Sequence, residues 1–137
     1  MKIILRNIVA VVLGLVVGSV VNMSIIMISG KVIPLPDGVN PADMESLKAG
    51  MYLFEPKHFL MPFLAHALGA LVGAFIAAKI AALRKLRCAM IIGVFFLFGG
   101  IEAVRMLPEA PMWFNVTDLV LAYIPMAFLG YKLAERK

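Results

Sequence analysis

Apolar residues run in four blocks, about Asn7 to Ser29, Phe59 to Leu83, Cys88 to Leu107 and Phe114 to Tyr131. Each has roughly the 20 residues that a helix rising 1.5 Å per residue needs to cross a hydrocarbon core of about 30 Å. The runs are continuous and show none of the two-residue alternation of a barrel strand. The pattern predicts an all-α polytopic membrane protein, a single domain of four transmembrane helices over residues 1–137. The first block follows Lys2 and Arg6, as a signal peptide would. It is longer than a cleavable apolar stretch, contains Asn22 and lacks a small-residue cleavage site, so it reads as an uncleaved first span.

Residues 30–58 form the one long connection. Pro34-Leu35-Pro36-Asp37-Gly38 is a stiff and then turning stretch. Asn40 precedes Pro41, with Asp43 close behind, which reads as a helix start: a capping side chain, proline at the first helical position and an acid in the first turn. Met44, Leu47, Met51 and Phe54 follow at spacings of three and four. They predict a short amphipathic helix over about 41–53, lying on the membrane surface or across the mouth of the bundle. Pro62 falls in the first turn of the second span, where proline is tolerated. Pro125 falls inside the fourth and predicts a kink that frees the carbonyl near Leu121.

Composition supports the membrane reading: 63% of residues are hydrophobic, 15% charged, and the mean hydropathy is +0.99. A soluble domain is about half apolar and about a quarter charged. The net charge is +5, but lysines and arginines cluster beside span ends and form no basic stripe with interleaved aromatics, which argues against nucleic acid. With the N-terminus inside, nine of the 13 Lys and Arg residues (Lys2, Arg6, Lys79, Arg84, Lys85, Arg87, Lys132, Arg136 and Lys137) fall on the cytoplasmic side. Lys31, Lys48, Lys57 and Arg105 fall outside. This bias predicts a multi-pass protein of the plasma (inner) membrane with both termini cytoplasmic. Trp113, Phe114, Tyr52 and Phe54 near the outer interface and Tyr131 near the inner one follow the aromatic-belt pattern. Cys88 is the only cysteine and has no partner for a disulfide. The ten methionines read as packing residues.

Gly14, Gly18 and Asn22 recur every four residues on the first span, and Ala65, Gly69, Gly73 and Ala77 do so on the second. Small residues at this spacing let helices approach closely in lipid, so the two faces are expected to pack on each other or on a second copy. The expected partners are thus the lipid bilayer and a homo-oligomer or larger membrane complex.

Each span also carries one polar group: Asn22, His66, Glu102 and Asp118. Counted from the expected outer ends they lie four to seven residues in, at depths of roughly 6–11 Å. Polar groups at membrane depth face a partner or a cavity, so the four form a candidate pocket for a ligand, proton or ion. Ser19, Ser24, Thr117 and Tyr123 are able to extend it. Local alternatives stand beside this. Arg105 is one turn from Glu102 and offers an ion pair. Asp118 falls in the expected first turn of the fourth span, where the helix dipole favours an acid and Asn115 would cap. His66, Glu102 and Asp118 would suit a divalent ion, but no HExxH-type spacing supports a metal. His58 and Glu55 lie just above in the loop, placed to contribute at the mouth of the pocket, with an ordinary alternative as solvated interface residues. No GxSxG, Walker loop or dinucleotide fingerprint is present, and no cofactor is implied.

The stretch from Phe54 to Gly69, FEPKHFLMPFLAHALG, resembles small bacterial four-helix membrane proteins. The resemblance extends over the whole chain. It implies an integral membrane protein and carries over no activity or catalytic residue. Three functions remain open: a small oligomeric transporter or channel-like protein with an outward-facing polar pocket; a non-catalytic membrane subunit or assembly factor; and an intramembrane acid–base enzyme built on His66 and a carboxylate.

Overall fold

The computed structural model describes residues 1–136; Lys137, counted in the charge bias, lies outside the described residues. Its helices are α1 (Lys2–Val32), α2 (Met44–Gly50), α3 (Leu60–Ile80), α4 (Lys85–Met106), α5 (Met112–Leu121) and α6 (Ile124–Glu135). Two 3-10 turns, Met51–Leu53 and Pro56–Phe59, lead from α2 into α3. Among the described residues four stretches are long and apolar enough to cross a membrane: Lys2–Val32, Pro56–Ile80, Lys85–Met106 and Met112–Glu135. The chain is an all-helical, multi-pass membrane protein. Its two chain ends and the turn at 81–84 share one end of the bundle, the terminus end; the segment 33–59 and the turn at 107–111 share the other, the loop end.

α3 is the central helix and packs against α1, α4 and α6. It does so because its faces carry glycine and alanine where neighbours cross. A Cβ at Gly14 would lie 2.6 Å from the Gly73 carbonyl oxygen, and one at Gly18 would lie 2.7 Å from that of Gly69. Conversely, a Cβ at Gly73 would meet the Gly14 carbonyl at 2.7 Å. The backbones of α1 and α3 therefore touch along the small-residue faces read from the sequence. On another side of α3, Gly130 of α6 lies against the backbone of Leu71 and Phe75. In lipid this dispersion contact replaces the hydrophobic driving force of a soluble core.

The terminus end is tied by hydrogen bonds as well as packing. Asn7 donates from Nδ2 to the Leu83 carbonyl (3.0 Å) and accepts from the Ala82 amide (2.9 Å), while Arg6 Nε donates to the Ile80 carbonyl (2.7 Å). These side chains satisfy backbone groups freed where α3 stops. Arg84 completes the turn in the left-handed region (φ 54°), and Lys85 pairs with Glu135 at 3.2 Å.

α1 has 31 residues, about 46 Å, so it overruns a core of about 30 Å and continues past the expected stop at Ser29. Its extra turns flank the loop end. In the long connection the helix is shorter than the expected 41–53 and starts later. Asp43, not Asn40, is the N-cap and accepts from the Glu45 amide; Asn40 closes a turn by accepting from the Ala42 amide. Phe59 is buried among Phe54, Trp113 and Phe114, the last at 4.7 Å between ring centroids, and this cluster fastens the connection to the start of α5.

The fourth span departs most from expectation. Pro125 does not kink a continuous helix. α5 ends at Leu121, and α6 begins at Ile124 with Pro125 in its first turn, where the missing amide costs nothing. Between them Ala122 and Tyr123 are 0% and 1% exposed, so the interrupted backbone is enclosed by protein.

Candidate functional site

The break at Ala122–Tyr123 builds the site. In an unbroken helix, residues five apart stand about 140° apart around the axis and do not face each other. Here the chain turns between Asp118 and Tyr123, and the phenol returns to donate to Asp118 Oδ2 at 2.7 Å. Gly100 of α4 makes room for it: a Cβ there would collide with the Tyr123 hydroxyl and ring. From α3, His66 Nδ1 lies 2.9 and 3.0 Å from the two Asp118 oxygens and 3.0 Å from the Tyr123 hydroxyl. The imidazole stacks on the phenol at 5.7 Å between centroids.

For a neutral imidazole beside an ionised carboxylate the bonds assign the proton positions. Tyr123 has one hydroxyl proton and gives it to Asp118. Nδ1 of His66, facing a carboxylate, carries the ring proton and donates it. In the neutral ring Nε2 then holds a lone pair, and among the described residues nothing bonds to it. The Asp118 side chain is 5% exposed and that of His66 20%, so the carboxylate is enclosed and the imidazole meets open space. Chemically this is an oriented hydrogen-bond acceptor, the arrangement by which a carboxylate fixes a histidine tautomer.

That open space is a cavity of about 270 Å³ at the loop end. His66 and Asp118 line it, with Ile26 and Ser29 of α1, Val104 of α4 and Leu107 just beyond it, and Leu47, Met51 and Phe54 from the long connection. Its lining is mainly apolar with a few convergent polar groups, the usual make-up of a small-molecule site. Ile33, just past the overrunning end of α1, also lines it.

Of the residues singled out from the sequence, His66 and Asp118 meet directly. Asn22 does not bond to them; it lines a second cavity of about 240 Å³, which also touches His66, Gly100 and Tyr123. Glu102 and Arg105 are corrected: they pair with each other at 3.0 Å on the surface, with side chains 60% and 73% exposed, and belong to neither cavity. Gly100 and Val104 face inward, and Glu102, two residues on from Gly100, stands about 200° round the helix. The metal set of His66, Glu102 and Asp118 falls for the same reason. Among the described residues no three His, Cys, Asp or Glu side chains are grouped to hold a metal ion.

Three further readings change. Asp118 is the seventh residue of α5, too far in for a dipole partner, because α5 starts at Met112. Asn115 is no cap; it is buried in the cavity wall and donates to the Ala110 carbonyl at 3.4 Å. His58 lines the loop-end cavity and is 8% exposed, not solvated: Nδ1 accepts from the Glu55 amide at 2.8 Å, which puts its proton on Nε2. The spacing Glu55-x-x-His58 carried that signal, since it reproduces a capping box. Ser24 and Thr117 bond to carbonyls of their own helices and add nothing to the cluster.

Fold and site together define a helical membrane protein with an apolar, histidine-floored cavity at one end of its bundle. Compared with known protein families, with curated proteins and with solved structures, the chain matches none.

Proposed function

We propose that the protein takes up a small amphipathic molecule in the loop-end cavity, with the molecule's polar group on His66 and its apolar part against Met51, Phe54 and Val104. One observation carries this reading: a mainly apolar cavity has at its floor an imidazole oriented by Asp118 and Tyr123, with Nε2 unengaged. Held on both sides by rigid helices, the group is preorganised, which lowers the cost of binding. The bias of basic residues toward the terminus end supports a cytoplasmic location for both termini in a bacterial plasma membrane. The cavity then faces outward, as a capture site for a small transporter or channel-like protein would. A path through one copy ends at Tyr123, so passage across the membrane requires either movement at the α5–α6 break or a pore between copies.

Trp113, the only tryptophan, packs edge-on to Phe59 at 5.6 Å, and Phe59 lines the cavity. Titration of the protein in nanodiscs with long-chain alcohols, amines and acids is expected to change Trp113 emission saturably for at least one class. His66→Ala is expected to weaken that response about two- to tenfold, the loss of one hydrogen bond. No response to any class, with no small molecule retained in native mass spectra of protein from its own membrane, would overturn the reading.

A second reading, a non-catalytic subunit or assembly factor, is favoured by α1. Only 11% of its most apolar stretch is buried, leaving Ile8, Val12, Val16 and Val20 on the surface. Crosslinking in the source membrane tests it: a stoichiometric larger partner supports it, and copies of this chain alone favour the oligomeric transporter.

A further inference from the structure

The second cavity contains the least explained polar group in the protein. Asn22 lies in the middle of α1, where its Cβ packs over Gly69. Among the described residues the side-chain hydrogen bonds of α1 come from Arg6, Asn7, Ser24 and Ser29, and none from Asn22. A carboxamide at this depth has two donors and an acceptor that lipid chains cannot satisfy. It lines a cleft between α1 and α4 together with His66, whose Nε2 is likewise unengaged. His66 and Gly100 are common to this cleft and the loop-end cavity, so the imidazole forms part of the wall between them.

The cleft opens on the flank of the bundle. Its α4 wall is Phe95, Phe96, Gly99 and Gly100; Phe95 is 56% exposed, and a Cβ at Gly99 would meet nothing within 4 Å. Gly99 thus leaves an opening bordered by aromatic rings, at the level where the exposed face of α4 meets lipid chains, while the notch at Gly100 is filled by Tyr123.

The chemistry selects the ligand. Nε2 of the neutral ring accepts a hydrogen bond, and the Asn22 amide donates one; a single hydroxyl group completes both. No lysine or arginine lines the cleft, and the Asp118 carboxylate is held directly behind the imidazole, so a carboxylate or phosphate head would meet an anion and no cation. We propose that Asn22 and His66 form a subsite for the hydroxyl of a neutral lipid, an alcohol or a phenol, that reaches His66 sideways from the bilayer between α1 and α4. The inference rests on the reading of His66 as a ligand contact and adds the route and the head group.

The test is photolabelling of the full-length protein in phosphatidylcholine nanodiscs with a diazirine-bearing long-chain alcohol, with labelled positions mapped by mass spectrometry. Saturable labelling beside Asn22 and Phe95 is expected. Unlabelled alcohol should compete and a fatty acid of equal chain length should not. Asn22→Ala and Gly99→Leu should each lower labelling at least about fivefold, one by removing the donor and the other by filling the cleft. Gly99 is outside the loop-end cavity and its side-chain position is empty, so Gly99→Leu should fold and keep the Trp113 response. Labelling unchanged in both variants, or equal competition by the acid, overturns the proposal. A Trp113 response without labelling of the cleft sinks the lateral subsite alone; absence of both signals sinks the role of His66 with it.

Discussion

Tyr123→Phe isolates the bond on which the site depends. The substitution removes one oxygen and leaves the ring that fills the notch at Gly100. Asp118, 3% exposed, then keeps the His66 Nδ1 proton and loses the 2.7 Å bond from the phenol. Neutral hydrogen bonds between membrane helices contribute about 0.6 kcal/mol on average, because the unfolded chain in lipid finds other partners. A bond to an enclosed carboxylate contributes more, about 1.5–3 kcal/mol. The second figure governs here, since a half-satisfied anion is left behind in a water-poor site. Unfolding in mixed micelles, followed by circular dichroism as denaturing detergent is titrated in, should show an unfolding constant raised about 10- to 150-fold. The cycle with Asp118→Asn separates this bond from general loosening. Without the carboxylate, Tyr123→Phe should cost at least about 1 kcal/mol less than it does in the native background. A single-variant cost below about 0.5 kcal/mol, or additivity within that margin, refutes the assignment of the phenol proton to Asp118.

Gly14→Ala should destabilise the fold by about 1–3 kcal/mol even though alanine favours helix, because its Cβ falls 2.6 Å from a backbone oxygen. Gly30→Ala, on the same helix with nothing within 4 Å, should be neutral or stabilising by up to about 1 kcal/mol, and equal signs in thermal melts of the two would refute the α1–α3 crossing. Asn7→Ala should remove the bonds to Ala82 and Leu83 and speed amide exchange at Ala82 at least about fivefold, while unchanged exchange there would show that the turn at 81–84 holds itself. Glu102→Gln should change stability by less than about 0.5 kcal/mol and leave the Trp113 titration as it was, since its pair with Arg105 is exposed; a clear loss of binding would return Glu102 to the site.

These expectations divide along what a sequence of membrane helices encodes well. Length and hydropathy set the spans, and four-residue spacing of small residues marks close crossings, because in lipid there is little else to hold helices together. Gly14, Gly18, Gly69 and Gly73 were legible for that reason. Depth was legible too, but it is one coordinate of three. Counting residues from the membrane boundary put Glu102 level with His66, while the missing coordinate, the angle round the helix axis, turned it to the outside. That angle was available in α4: Gly100 and Val104, four apart, mark the inward arc, and Glu102 and Arg105 stand about 200° and 140° round from Gly100.

Tyr123 posed the harder problem. Helical spacing relates residues three and four apart, and it gives no reason for Asp118 and Tyr123 to meet. They meet because the helix stops between them, and Pro125 was the available clue, read as a kink in a continuing helix when its position suits the opening turn of a new one. A proline inside an apolar run is compatible with either outcome. What separates them is whether a neighbour can enclose the interrupted backbone, and that depends on Gly100 of α4 and the small residues of α3, distant in sequence from Pro125. The break that concealed the site from a helical reading is therefore also its cause. An uninterrupted fourth span would carry Tyr123 away from Asp118, leaving the carboxylate with His66 as its one donor and Gly100 facing a void.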